Sequence, residues 1–151
     1  MNNRSDNELY DLCKSKKLSL GALQETINLL GPRLSSQNPL CFHKACKNKK
    51  VTVTLAIVQL LHNTLPGALQ LRDDNERLPI HFLCANQYLD DTASLDILRF
   101  MLEIDPNLPR EVDDDGYLPL HRAVTRKSTA FCKELIDAYP ESPRVVGVGD
   151  G

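Results

Sequence analysis

A four-residue phrase recurs along this chain: Leu78-Pro79-Ile80-His81, then Leu118-Pro119-Leu120-His121. A worn copy stands upstream as Leu40-Cys41-Phe42-His43, so His43, His81 and His121 lie 38 and 40 positions apart. Recurrence at a period of this size marks one supersecondary unit stacked several times. A unit that small cannot bury its apolar faces alone, so neighbours must share one continuous core. The 151 residues therefore read as a single all-α domain of stacked units.

Each unit carries its signals in the same order. An acidic turn comes first, Asp73-Asp74-Asn75-Glu76 and then Asp113-Asp114-Asp115-Gly116. Leu-Pro follows, and proline suits the first helical position, where its missing N–H costs nothing. A short helix is predicted over about 80–86 and 120–126, ending in polar residues. A serine or threonine then opens a longer amphipathic helix. Ser94 stands before Leu95–Leu102, Thr52 or Thr54 before Leu55–Leu61, and Ser128 or Thr129 before Phe131–Ile136. Apolar residues at three- and four-residue spacing give each run one buried face. Each stops at a proline, Pro66, Pro106 or Pro140, which bars helical continuation. The first third holds a degenerate unit: Glu8–Cys13, then a helix opened by Ser19 and closed at Gly31-Pro32. Its charge suits a terminal repeat whose outer face meets water.

The stretch Asp113-Asp114-Asp115-Gly116-Tyr117-Leu118-Pro119-Leu120-His121-Arg122-Ala123 resembles the signature of ankyrin repeats, with leucine in place of threonine before the proline. Asp73–Leu83 is a weaker copy and Ser35–Ala45 weaker still; together they extend the resemblance over roughly residues 4–140. It implies an ankyrin-type α-solenoid of β-turn fingers and antiparallel helix pairs. The expected units are a capping unit at 4–34 and repeats at 35–72, 73–112 and 113–147. Residues 148–151 would begin a further finger, so the chain reads as a fragment of a longer repeat protein or a truncated gene product. Its last helix pair is then expected to expose apolar surface.

Three departures from the family pattern matter. Leu40, Leu78 and Leu118 replace a helix-capping hydroxyl, a loss worth about 0.5–2 kcal/mol; packing between units is expected instead. Glu76 occupies a turn position that favours glycine, as Gly116 does in the next finger. The units also exceed the family's usual length, with the surplus around 49–51 and 88–92.

No apolar run reaches the roughly 18 residues of a membrane span, and the polar N-terminus is not a secretory signal. Five cysteines, an odd number, read as thiols of an intracellular, cytoplasmic protein. Charge is polarised. Residues 1–70 hold nine Lys/Arg against four Asp/Glu, net +5, and residues 71–151 hold nine against sixteen, net −7.

The chemistry-bearing residue types have limited reach. Cys41-x-His43-x-x-Cys46, half repeated as His81 and Cys84, has the residue types of a zinc site. Equivalent positions of stacked helices lie about 8–10 Å apart and diverge, so the cysteines read as core thiols. A zinc-binding or redox role for Cys41, His43, Cys46 and Cys84 is the alternative. No cofactor is implied. No phosphate-binding glycine loop or nucleophile elbow appears. The resemblance implies a structural role for His43, His81 and His121, bonding backbone between neighbouring repeats, with Pro79, Pro119 and Gly116 as parts of the same motif. The lysines at 14, 16, 17, 44, 47, 49 and 50 lack interleaved aromatics in sequence, which weighs against single-strand nucleic-acid contact, the further alternative.

Taken with the resemblance, this implies a non-catalytic protein-binding scaffold using finger tips and the concave face of the first helices. The family's contact positions map to Asp74, Asn75, Arg77, Asp114, Asp115 and Tyr117 on the fingers, and to Lys47, Asn48, Asn86 and Arg126 on the helices. Clustered acidic tips would suit a partner with a basic segment.

Overall fold

The computed structural model describes residues 4–50 and 53–144, and among them it is all-helical, with no strand. Eight α-helices follow in chain order: α1 Arg4–Cys13, α2 Leu20–Leu30, α3 Cys41–Lys47, α4 Leu55–Thr64, α5 Pro79–Ala85, α6 Asp91–Ile104, α7 Pro119–Ala123 and α8 Thr129–Ala138. They lie in two rows. In the first row α1 packs on α3, α3 on α5 and α5 on α7; in the second α2 packs on α4, α4 on α6 and α6 on α8. Each first-row helix also packs against the second-row helix that follows it. The architecture is repeat-like, and the core runs between the rows through Leu23, Leu30, Phe42, Val58, Leu61, Ile80, Leu83, Leu98, Met101, Phe131 and Leu135.

The second-row helices start where a side-chain oxygen meets a free helix N–H. Ser19 Oγ accepts from Ala22 N–H at 3.1 Å, Thr54 Oγ1 from Ile57 N–H at 3.4 Å and Ser128 Oγ from Phe131 N–H at 3.1 Å. Ser94 departs from expectation. Asp90 Oδ1 caps α6 instead, accepting from Ala93 N–H at 2.7 Å, and the helix begins at Asp91. The earlier start turns Ser94 into the interior, where it is fully buried. The three helices end at Thr64, Ile104 and Ala138, each two residues before its proline.

The first-row helices α3, α5 and α7 are only five to seven residues long. Helices that short do not persist by themselves in water, so their ends are held by neighbouring units. Asn48, just past α3, donates through Nδ2 to the carbonyls of Cys13 and Ser15 at 2.8 and 2.9 Å. Asn86, just past α5, repeats the contact one unit on, donating to Cys46 O and Asn48 O at 3.0 Å each. In the following unit the rung is a lysine: Lys127 Nζ donates to Asn86 O at 2.6 Å and to Ser94 Oγ at 2.8 Å. To deliver that amine, α7 stops at Ala123 rather than 126, and Arg126 and Lys127 N–H both fold back on Ala123 O.

The leucines of the repeated phrase are core residues, Leu78 3% and Leu118 1% exposed. Of the last helix pair, α7–α8, the exposed large apolar residue is Val124, just past α7, at 57%. The expected further finger at 148–151 lies outside the described residues.

Glu76 has φ 59° and Gly116 has φ 79°, so both turns use the left-handed region. Any side chain there is strained by about 1–2 kcal/mol, and Glu76→Gly is expected to raise stability by up to about 1 kcal/mol once glycine's entropy is counted. Asn86→Ala strips the partner from two buried carbonyls, each worth about 1–3 kcal/mol, and should lower urea-unfolding stability by roughly 2–5 kcal/mol. Arg126→Ala on the exposed surface should stay within about 0.5 kcal/mol of the parent.

Candidate functional site

The two fingers are built alike. Asp73 Oδ1 accepts from the N–H groups of Asn75 and Arg77 at 2.9 Å each, and Asp113 Oδ1 accepts from Asp115 and Tyr117 at 3.0 Å each. The aspartate that opens each acidic run therefore holds its own turn. Asp114 N–H donates to Asn75 O at 3.1 Å, fastening one finger to the next. Arg72 reaches across to the carbonyls of Glu76 and Val112 and to the Glu111 carboxylate.

The acidic residues divide into two groups. Asp113 is buried and takes two hydrogen bonds from Arg122. Burial alone would raise its carboxyl, but the bonds from Arg122 and Tyr117 N–H outweigh it and hold Asp113 below the ordinary carboxylate value. Asp115 pairs with Arg122 at 3.2 Å and Arg77 at 3.7 Å. Asp74 and Asp114 are exposed, and neither has an ion-pair partner among the described residues. The carboxylates of Asp113, Asp114 and Asp115 lie within 4.8 Å of one another, with Arg122 as the counter-charge.

His81 uses both ring nitrogens. His81 Nδ1 accepts from Leu78 N–H at 3.0 Å, and His81 Nε2 meets Glu111 O at 3.1 Å. These partners select the neutral tautomer with the proton on Nε2. The ring thus takes the backbone N–H of the residue before the helix, the bond an N3 side chain makes in a capping box, and ties α5 to the next finger. His121 Nδ1 accepts from Leu118 N–H at 2.8 Å in the same way. His43 Nε2 meets Leu71 O at 2.7 Å, but Asn38 Oδ1 takes the Leu40 N–H, leaving His43 Nδ1 without a hydrogen-bond partner among the described residues. Burial lowers the pKa of His43, and that of His81 to about 4.

The structure does not gather Cys41, His43, Cys46 and Cys84 into a ligand set. Among the described residues the metal-capable trio is the aspartate group. Hydrogen bonding with Cys41, then burial, push the Cys13 thiol up; burial pushes Cys46 up to about 12 and raises Cys84 as well. Thiols in that state are protonated at neutral pH.

Of the expected contact residues, Asp74, Asn75, Asp114, Asp115, Lys47 and Arg126 are exposed, and Arg77 and Tyr117 are half-buried. Asn48 and Asn86 are corrected: both are 4% exposed, with their amides committed to neighbouring units. A cleft of about 250 Å³ lies between the first finger and the first-row helices, lined by Tyr10, His43, Lys47, Asp74, Arg77 and Phe82 among others.

Sequence reading missed how aromatics meet the lysines. Lys14 and Lys44 stand over the Tyr10 ring at 5.2 and 5.5 Å, Lys47 over Phe82 at 5.6 Å and Lys49 over Tyr88 at 5.6 Å. Lys14 and Tyr10 are four residues apart, but the rings under Lys44, Lys47 and Lys49 come from other units, so no local run shows them. One signal exists: Lys44, Phe82 and Arg122 each follow the phrase's histidine directly.

No protein-family model matches the sequence, and comparison with curated proteins gives no significant match. No helix among the described residues is long and apolar enough to cross a membrane.

Because His81 is neutral when folded and binds a proton near pH 6.5 when unfolded, the unfolded chain takes up more protons between those values. Stability is therefore full above about pH 6.5 and falls as pH drops toward 4, at up to about 1.4 kcal/mol per pH unit. Urea unfolding at pH 5 should show about 2 kcal/mol less stability than at pH 7 from this residue, with His43 adding in the same direction.

Proposed function

We propose that this chain is an ankyrin-type α-solenoid that acts without catalysis, holding another protein against its fingers and the exposed face of its first-row helices. The carrying observation is the pair Asp74 and Asp114. Two exposed carboxylates stand on neighbouring fingers fastened by the Asp114–Asn75 backbone bond, beside a cleft of about 250 Å³. Fixed like charges on adjacent turns favour a partner segment bearing Lys or Arg, chiefly through steering and register.

The recurring order of finger, proline-started short helix and longer capped helix supports the ankyrin assignment. The histidine bridges to Leu71 and Glu111 fit the structural role that the resemblance implies. With those rings bonded to backbone and Cys13, Cys46 and Cys84 protonated, none of these residues is poised as base or nucleophile. The remaining contact surface is Asn75, Arg77, Asp115, Tyr117, Lys47 and Arg126, and an intracellular setting suits the free thiols.

The test is affinity capture with the parent chain and with Asp74→Lys/Asp114→Lys. Both sites are exposed, so the double variant should fold with stability within about 0.5 kcal/mol per site. Loss of the captured partners supports the reading. An unchanged set of partners overturns the finger surface as the contact.

A further inference from the structure

Five lysines surround one cleft on the basic half of the molecule. Lys14 follows α1, Lys44 and Lys47 lie on α3, and Lys49 and Lys50 follow it; with Asn48 they line a hollow of about 250 Å³. No carboxylate lines it. Lys14 has one exposed ion pair, with Asp11 at 3.8 Å, and the other four have none among the described residues. Four ammonium groups without a paired carboxylate around one hollow hold a positive potential that an anion relieves.

Four of the five amines also stand over aromatic rings. Tyr10 carries Lys14 and Lys44, Phe82 carries Lys47 and Arg77, and Tyr88 carries Lys49. Asn48 fixes the floor: its Nδ2 ties this turn to Cys13 O and Ser15 O, and its Oδ1 accepts from Lys50 N–H at 2.7 Å. Positions set before binding reduce the ordering cost of binding.

The same geometry selects the ligand. A single nucleic-acid strand needs open ring faces for stacking bases, whereas these rings already carry cations. Lysine binds phosphate as a point charge without the planar demands of arginine. A hollow this small suits a compact group better than a polymer track. We propose that this cleft binds a compact ligand carrying several phosphates, either a soluble polyphosphorylated molecule or the headgroup of a multiply phosphorylated lipid. Asp74 and Asp114 do not line this hollow, although it adjoins the cleft beside Asp74 through Lys44 and Lys47; the proposal goes beyond the protein-binding reading.

The experiment is calorimetric titration of the full chain with inositol hexakisphosphate and with inorganic tripolyphosphate. It compares the parent, Lys14→Gln/Lys49→Gln in the cleft, and Lys16→Gln/Lys17→Gln, which removes the same charge outside it. The expected result is saturable binding that the cleft variant weakens by about tenfold or more and the outside variant changes by less than about twofold. Vesicles bearing a phosphoinositide bisphosphate separate the two sources: recruitment that the cleft variant loses assigns the headgroup, and soluble binding without recruitment assigns the free molecule. No binding at about 1 mM probe, equal weakening by both variants, or tighter binding of a single-stranded oligothymidylate overturns the proposal. Asp74→Lys/Asp114→Lys should still bind the probes, and this distinguishes failure of the finger contact from failure of this site.

Discussion

The two-sided hydrogen bonding of His81 connects local and long-range order in this fold. One ring nitrogen accepts the backbone N–H of Leu78 at the start of a seven-residue helix, and the other meets Glu111 O at the foot of the following finger. A hydroxyl in place of Leu78 would meet a helix N–H instead and would make neither contact. Leu78 forgoes that cap, and its side chain joins the core. The oddity of leucine before proline is thus a packing gain set against a lost helix cap.

A second set of contacts works at the far ends of the same helices. Asn48 and Asn86 reach back to carbonyls of the preceding unit, and Lys127 completes the series with an amine. The substitution has an electrostatic cost, since burial lowers the pKa of Lys127, and Ser94 is drawn inside as its partner. In a stack of this kind each unit depends mainly on its neighbours. Polar contacts that cross unit boundaries therefore carry much of what makes the order of units unique.

The sequence made the helical class, the element order and the proline stops legible, because each rests on local chemistry: period, cap and missing N–H. It also placed Ser19 as a cap, offered Ser128 as one of two candidates for another, and singled out Glu76 as standing where glycine is favoured. Asn48 and Asn86 were misjudged as surface contacts, because a polar residue at a helix end reads the same whether water or a neighbouring carbonyl receives its amide. Ser94 was misjudged because Asp90 offered an equally good cap one turn earlier. The lysine–aromatic contacts were illegible for a different reason: Lys44 and Tyr10, or Lys47 and Phe82, are dozens of residues apart and meet only through stacking.

Helices α3 and α5 are pinned at both ends, by a histidine near the start and by an asparagine just past the finish. A seven-residue helix at about 1.5 Å per residue is roughly 10 Å long, so the two pins act as paired spacers rather than a single hinge. In α5 one pin runs forward to Glu111 and the other back to Cys46 and Asn48. The helix is then a strut between two segments of the chain, and a shift of either one is passed to the other through it.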